Sequence, residues 1–145
     1  MSVPGATVAD MTATEDTRAV AERYFTTMNA RAWSAFGALL TDDVRYELPQ
    51  TGERITGRGN YLRFNQEYPG AWQLRVTRLL ADGSTASASL LFTVGGRQLV
   101  AVVFLELRDG LIARVTDFWP EPYDAPPGRD HLTEQAVSEQ DRFVP

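Results

Sequence analysis

The stretch that decides the fold is GLIARVTDFWPEPY, which spans residues 110–123. It follows an Asp-Gly turn, alternates in the manner of a strand, and is stopped by two prolines. Because strand side chains alternate between two faces, Val115, Asp117 and Trp119 are predicted to share one side. If that side faces water, Asp117 is an ordinary surface residue. If it faces inward, Asp117 is a buried charge that needs a partner or a use.

The composition indicates one domain and argues against several kinds of partner. A chain of 145 residues with 43% hydrophobic content can bury a core. With 14 Lys plus Arg against 19 Asp plus Glu, the formal charge is −5, so we expect neither nucleic acid nor a membrane as partner. The chain has no cysteine, and one histidine with scattered carboxylates gives no metal-binding spacing, so no metal or cofactor is expected. The start, MSVPGAT, has neither a basic segment nor an apolar run, so we expect a cytoplasmic location.

Helical periodicity dominates the first half of the chain. Residues 1–14 are small and polar, and we expect a disordered lead-in there. A helix capped by Thr14 or Asp16 is predicted to run to about Asn29, with its apolar residues on one side. Two shorter helices are predicted over residues 33–40 and 60–68.

From Trp72 onward, apolar residues recur with the period of a strand. Asp-Gly and Gly-Gly turns divide this half into a meander of four strands, and an earlier short strand is predicted over residues 44–48. The strand over residues 99–107 is apolar on both faces, which predicts that both faces are covered. The helices would cover one face. A second copy of the chain would cover the other, so a homodimer through this outer sheet face is predicted, with contacts at Val100, Val102 and Phe104.

Helices followed by a four-stranded antiparallel meander predict one α+β domain over residues 15–123. The helices would lie on one face of a curved sheet, which would leave a cavity at the wide end of a cone. Residues 124–145 are polar with sparse apolar side chains, and we expect a loosely attached C-terminal extension there.

Four short motifs carry a resemblance to a known superfamily. They are Arg23-Tyr24, Leu40-Thr41-Asp42-Asp43-Val44, Gly57-Arg58 and Asp109-Gly110-Leu111-Ile112. In this order and spacing, residues 16–123 resemble the nuclear-transport-factor-2-like superfamily, with its SnoaL-like polyketide cyclase, ketosteroid isomerase and limonene epoxide hydrolase branches. The resemblance implies a cone-shaped α+β fold in which a curved antiparallel sheet wraps around N-terminal helices. This fold carries many unrelated activities, so the reaction has to be argued from the site.

The resemblance also implies roles for individual positions. Tyr24 is similar to the oxyanion-binding tyrosine of the isomerase branch, whose two carboxyl groups would fall at Leu48 and near Val103. The epoxide hydrolase branch has an aspartate that matches Asp117, but its partner arginine and second aspartate would fall near Ala101 and Val103. In the cyclase branch, the aspartate thought to act as base follows a Gly-x-Ile lead in the last strand, and Asp117 occupies that position.

Asp117 and Tyr24 are therefore the candidate catalytic residues. Asp117 would be a general base or acid whose pKa is raised by an apolar pocket, or else a structural carboxylate paired with an arginine or hydrogen-bonded at a rim. Tyr24 would donate its hydroxyl to a developing enolate, or else be a core tyrosine with a satisfied hydroxyl. The candidate substrate-binding residues, for each of which core packing is the alternative, are Tyr46, Leu48, Tyr61, Asn65, Val115 and Trp119.

These residues favour a pocket that binds a small apolar or aromatic ligand. The predicted activity is a cofactor-independent lyase or isomerase step of the cyclase type on a carbonyl substrate, with Asp117 as the base. One alternative is a non-catalytic binding protein, and another is epoxide-hydrolase-like water addition with Asp117 activating the water. A buried arginine on Asp117 would favour binding alone, whereas a free Asp117 in a cavity shared with Tyr24 would favour catalysis.

Overall fold

The computed structural model describes residue 5 and residues 7–135, in which three α-helices pack on one face of a six-stranded sheet. The helices are α1 (Val8–Asn29), α2 (Trp33–Gly37) and α3 (Arg58–Gln66). The strands are β1 (Leu40–Leu48), β2 (Glu53–Thr56), β3 (Gln73–Asp82), β4 (Thr85–Val94), β5 (Arg97–Arg108) and β6 (Leu111–Phe118).

The helix α1 begins at Val8 and not at the predicted Thr14 or Asp16, so the prediction of disorder is wrong for residues 8–14. The reason is a capping box. The Asp10 backbone N–H donates to Thr7 Oγ1 at 3.1 Å, and the Thr7 backbone N–H donates to Asp10 Oδ2 at 3.0 Å. Thr14 lies inside the helix, where its Oγ1 accepts a hydrogen bond from the Gly83 N–H at 2.9 Å. Residues 1–4 and 6 lie outside the described residues.

The second helix is shorter than predicted, because Leu40 begins a strand and does not end a helix. Leu40 is fully buried and lies opposite Ile112 of β6, and the Ile112 N–H donates to the Leu39 carbonyl at 2.8 Å. Pairing with β6 therefore recruits these residues into β1 before the predicted strand start at residue 44. The strand β2, which pairs antiparallel with β1, was not predicted.

The strand order is β2-β1-β6-β5-β4-β3, and the sheet is curved and unclosed. The antiparallel meander of β3 to β6 is confirmed, as is the α+β class. The sheet is nevertheless mixed, because β1 runs parallel to β6. This parallel pair brings a strand from the first half of the chain next to the strand that carries Asp117.

The inner face of β6 points toward the helices. Its buried residues are Ile112, Val115 and Asp117. Their spacing departs from strict alternation because the register with β5 shifts between Glu106 and Leu107, which is the mark of a β-bulge. Beyond the bulge, Asp117 lies directly opposite Val103 of β5. The prediction that Val115 and Asp117 share one side is therefore confirmed, and that side faces inward.

Beyond Phe118 the chain is mostly exposed up to residue 135, with a short 3-10 turn at Asp130–Leu132. Residues 136–145 lie outside the described residues, so the C-terminal extension stays a prediction for them. Within the described part of the chain, no helix combines the length and the apolar character needed to span a membrane.

Candidate active site

A cavity of about 350 Å³ opens between the helices and the inner face of the sheet. Nine of its lining side chains are aromatic: Tyr24, Phe25, Tyr46, Tyr61, Phe64, Tyr68, Trp72, Phe92 and Trp119. The aliphatic lining residues are Met28, Leu48, Leu74, Leu90, Leu99, Val100 and Val103, and the remaining ones are Gln50, Thr51, Asn65, Asp117, Pro120 and Glu121. The cavity is therefore an aromatic chamber with few polar groups, as expected for a small-molecule site.

Asp117 is the buried acid of this cavity, since only 9% of the residue is exposed. The parallel pairing sets Tyr46 of β1 opposite Val115, which brings the Tyr46 ring next to Asp117 on the same face. The Tyr46 hydroxyl donates to Asp117 Oδ2 at 2.7 Å. The other carboxyl oxygen, Oδ1, accepts no hydrogen bond from any described residue. Asp117 is thus held at one oxygen and left open at the other.

Burial raises the pKa of Asp117 to about 6, because the ionised form loses its hydration. The Tyr46 hydroxyl and the Trp119 side chain act in the opposite direction and lower this pKa, although the Trp119 indole does not reach hydrogen-bonding geometry with Oδ1. No arginine or lysine among the described residues forms an ion pair with Asp117. At neutral pH, Asp117 is therefore mostly ionised and more basic than an ordinary aspartate.

Two further tyrosines meet inside the cavity. Tyr24 from α1 and Tyr61 from α3 are almost fully buried, and their hydroxyl groups are hydrogen-bonded to each other. The Tyr61 ring stacks on Tyr46 at 5.0 Å between ring centroids. Burial raises the pKa of all three tyrosines, and the charge of Asp117 raises each of them further. The hydroxyl groups therefore stay protonated and available as hydrogen-bond donors.

Most of the predicted binding residues line the cavity, but Val115 does not. Leu48, Asn65 and Trp119 are lining residues, and Asn65 Nδ2 donates to the Tyr61 carbonyl oxygen of its own helix at 2.9 Å. Val115 is fully buried in the hydrophobic core and does not line the cavity, so the predicted contact between Val115 and a substrate is corrected to a core position. The alternation of β6 placed Val115 on the correct face of the sheet, but other core residues cover it and separate it from the cavity.

The lining also includes the two positions at which the isomerase branch would carry its acids. Leu48 and Val103 both face the cavity, and Val103 lies directly across the sheet from Asp117. Asp117 is therefore flanked by hydrocarbon where a second carboxyl would otherwise stand. Across residues 7–135, no three acidic or histidine side chains are grouped so as to hold a metal ion.

Gln50 is a site residue that the sequence did not reveal. Its Nε2 donates to the Trp119 carbonyl at 2.9 Å, and its Oε1 accepts from the Trp119 backbone N–H. We call this pair of hydrogen bonds the Gln50 clamp. It continues the pairing of β1 with β6 by means of a side chain and holds Trp119 at the cavity wall, where its ring meets Phe92 edge-on at 5.2 Å. A glutamine after Pro49 in a turn gives no sequence signal, whereas Phe92 shares the inward parity of Leu90 and could have been found.

Comparison with known proteins agrees with this geometry. A family model described as a SnoaL-like domain matches residues 21–115. A crystal structure from Kribbella flavida DSM 17836, provisionally assigned as a ketosteroid isomerase, is 67% identical with a TM-score of 0.87, covering 92% of this chain and 98% of that chain. An NTF-2 like protein of unknown function from Burkholderia xenovorans LB400 is 26% identical with a TM-score of 0.73, covering 84% of this chain and 96% of that chain.

A more distant likeness is to a provisionally assigned polyketide cyclase from Xanthomonas campestris pv. campestris, which is 23% identical with a TM-score of 0.61 and covers 74% of this chain and 93% of that chain. At this identity the likeness shows the fold alone. The search of curated proteins returned no match. Because the family model spans about two thirds of the chain and the cone-shaped architecture agrees with it, the chain belongs to the SnoaL-like domain family, with a nuclear-transport-factor-2-like fold.

Proposed function

We propose that the cavity catalyses a cofactor-independent isomerase or lyase step of the cyclase type on a small apolar or aromatic carbonyl compound. The observation that carries the proposal is the state of Asp117, which is buried, unpaired with any described cation, held by Tyr46 and open at Oδ1. An acid with a raised pKa in an apolar cavity is a candidate general base. The likeness to the Kribbella flavida protein supports the isomerase class.

In the proposed reaction, Asp117 Oδ1 removes a proton from the carbon next to the substrate carbonyl. The electron pair of the broken C–H bond forms an enolate, whose oxygen carries the developing charge. The hydroxyl pair of Tyr24 and Tyr61 lines the same cavity and has one hydroxyl hydrogen left over after its mutual hydrogen bond, which would be donated to that oxygen. The proton held on Oδ1 then returns to a different carbon, which completes an isomerisation, or to the product of a ring closure.

The same geometry favours a single base over the machinery of the related branches. Leu48 and Val103 supply no carboxyl group where the isomerase branch has them, and Ala101 and Val103 supply neither the arginine nor the second aspartate of the epoxide hydrolase branch. Tyr46 would orient the base through Oδ2. Trp119 and the rings around it would form the flat walls against which an aromatic substrate packs, with Leu48, Tyr61 and Asn65 as further contacts.

Hydrogen–deuterium exchange tests this proposal without knowledge of the natural substrate. We expect the wild-type protein to accelerate the exchange of the α-protons of 2-tetralone, a flat aromatic ketone, in D2O, as followed by NMR. Asp117→Asn should lower the enzymatic exchange rate by about 100-fold or more, because general-base catalysis is lost, while 2-tetralone still binds. Glu121→Gln removes an exposed carboxylate at the cavity rim and serves as the matched control.

An exchange rate that is unchanged in Asp117→Asn would contradict the mechanism. Binding of 2-tetralone without any acceleration by the wild-type protein would favour the second candidate function, a non-catalytic ligand-binding protein. The specific observation in favour of that candidate is that Leu48 and Val103 leave Asp117 as the one carboxylate in the depth of the cavity.

We also propose that the chain forms a homodimer through the outer face of the sheet. We call the apolar residues on that face the outer patch: Leu80, Val102, Phe104 and Phe118. Their strand partners place them in adjoining rows, and Phe104 meets Phe118 edge-on at 6.1 Å. Val100, for which a dimer contact was also predicted, lines the cavity instead. Phe104 is 41% exposed and Leu80 is 59% exposed. A patch of this kind is typical of an interface, and the self-pairing of one face gives a twofold dimer.

A further inference from the structure

The charged side chains that line the cavity are all negative. The lining residues include two carboxylates, Asp117 in the depth and Glu121 at the rim, and no lysine, arginine or histidine among the described residues lines the cavity. A cation near the wall, Arg31, lies over the Trp72 ring at 3.7 Å and donates to the Asn29 carbonyl at 2.6 Å. Arg31 is not one of the lining residues. Any ligand therefore meets negative charge and no positive charge.

Asp117 Oδ1 has room for one more donor. The Tyr46 hydroxyl is committed to Oδ2, and the hydroxyl groups of Tyr24 and Tyr61 are bonded to each other. Across the sheet, Val103 offers only hydrocarbon. A buried carboxylate oxygen without a donor is a costly arrangement, and an N–H group that carries positive charge would relieve it more than a neutral donor would. Asp117 Oδ1 can therefore accept a hydrogen bond from a charged donor.

The aromatic lining supplies the second half of such a site. The faces of Trp, Tyr and Phe rings carry negative charge density and attract ammonium groups. Tyr46, whose hydroxyl donates to Asp117 Oδ2, and Trp119 both line the cavity that contains Asp117. An ammonium group at Oδ1 would therefore bind a carboxylate inside a cavity whose walls are largely aromatic.

We infer that the cavity binds a small protonated amine with an apolar or aromatic body, whose N–H donates to Asp117 Oδ1 while its body fills the aromatic chamber. The inference rests on the proposed function only in placing the Asp117 carboxylate in the ligand cavity, and it does not require turnover. Such an amine occupies the place of the carbonyl substrate and competes with it. At about 350 Å³, the cavity suits a body of one or two fused rings. Anionic ligands of the same shape are excluded by charge.

Three probes of one shape and different charge test the inference: 2-naphthylmethylamine, 2-naphthylmethanol and 2-naphthoate. Affinities for the full-length protein are measured by calorimetry at pH 7.5. We expect the amine to bind at least about tenfold more tightly than the alcohol, and the carboxylate at least about tenfold more weakly. Equal affinity for the amine and the alcohol would overturn the inference, whatever the outcome of the exchange assay on 2-tetralone.

Asp117→Asn should remove the preference for the amine and keep the binding of the alcohol, whereas Glu121→Gln should retain most of the preference. A preference lost only in Glu121→Gln would place the cation at the rim and contradict the assignment to Oδ1.

Wild-type protein supplies a test that does not depend on folding of the variant. Below a pH of about 6, Asp117 takes up a proton, and the affinity for the amine should fall by up to about tenfold per pH unit while that for the alcohol stays constant. The other titratable groups that face Asp117 are Tyr24, Tyr46 and Tyr61, which remain protonated in this range.

Discussion

At the scale of single residues, the burial that makes Asp117 a stronger base also lowers the stability of the folded chain. Burial raises its pKa from 3.8 to about 6, so the folded chain holds the carboxyl proton more tightly than the unfolded chain does. Ionisation of Asp117 therefore weakens the folded state by about 3 kcal/mol at neutral pH. The destabilisation is absent below a pH of about 4, where both states are protonated, grows between about 4 and 6, and is constant at higher pH.

We expect Asp117→Asn to raise the free energy of unfolding at pH 8 by about 2–3 kcal/mol and to leave it nearly unchanged at pH 4. The amide carries no charge, and its oxygen can still accept the Tyr46 hydroxyl. Urea unfolding of both proteins at the two pH values measures the difference. Glu121→Gln, at an exposed position, should change little at either pH. A variant that is no more stable than the wild type at pH 8 would contradict the prediction.

The alternation of β6 predicted that Asp117 shares a side with Val115, but the hydrogen-bond partner of Asp117 could not be predicted. Tyr46 lies 71 positions away in the sequence, and only the pairing of β1 with β6 brings the two residues together. The pair of Tyr24 and Tyr61 likewise depends on how α1 and α3 pack. Alternation also predicted the face of the sheet on which Val115 lies, but not that the core would cover this residue.

At the scale of the elements, the Gln50 clamp extends the pairing of β1 with β6 beyond the last backbone pair by means of a side chain. The pairing of β1 with β6 ends at Glu47 and Thr116, and the side chain of Gln50 then forms hydrogen bonds with both backbone groups of Trp119. The clamp therefore fixes the segment that follows Asp117 and the ring that forms the cavity wall. Its position explains how a residue on a turn shapes a site that is otherwise built on strands and helices.

Gln50→Ala should weaken the binding of 2-naphthylmethanol by about three- to tenfold, because two hydrogen bonds that order Trp119 are lost. Both of the backbone groups released are at the surface and can bond to water, so the free energy of unfolding should change by less than about 1 kcal/mol. Fluorescence titration measures the affinity. Gln98→Ala, at an exposed position on β5 outside the cavity lining, is the matched control. Wild-type affinity in Gln50→Ala would show that the clamp does not hold the wall.

Two element boundaries were predicted wrongly, one in spite of a local signal and one because strand pairing sets it. The capping box of Thr7 and Asp10 is the local signal for the start of α1, but Val8 and Met11 are exposed, so the first turns of the helix show no apolar face that would have predicted them. Leu40 continues the apolar spacing of α2 and was therefore assigned to a helix, although its contact with Ile112 makes it a strand residue. Tertiary pairing overrides periodicity at that position.

At the scale of the whole molecule, the α+β class and the meander followed from the change of period near Trp72. The parallel pairing of β1 with β6 could not be predicted in this way, because the alternation of a short strand indicates which of its faces is apolar and not which strand it pairs with. The outer patch belongs to the same scale, since it is formed from β3, β5 and β6 together.

We expect Phe104→Glu to convert the proposed dimer into a monomer at micromolar concentration, as measured by sedimentation. The carboxylate would be buried without a partner in the apolar interface, which disfavours association strongly. Tyr123→Glu adds the same charge at an aromatic residue that is 87% exposed and lies outside the strands, and it should leave the dimer intact. A monomeric wild-type protein at the same concentration would contradict the proposed interface.

The parallel pairing of β1 with β6 also determines when the site comes into existence. A chain synthesised from its N-terminus completes β1 long before β6, so one edge of β1 stays unpaired while the meander forms. Contacts across such a separation are slow to close. The strand that ends this exposure also delivers Asp117 to Tyr46. A nascent or truncated chain without β6 therefore presents an unpaired strand edge and lacks Asp117, and a chain that has acquired its candidate base has already completed its sheet.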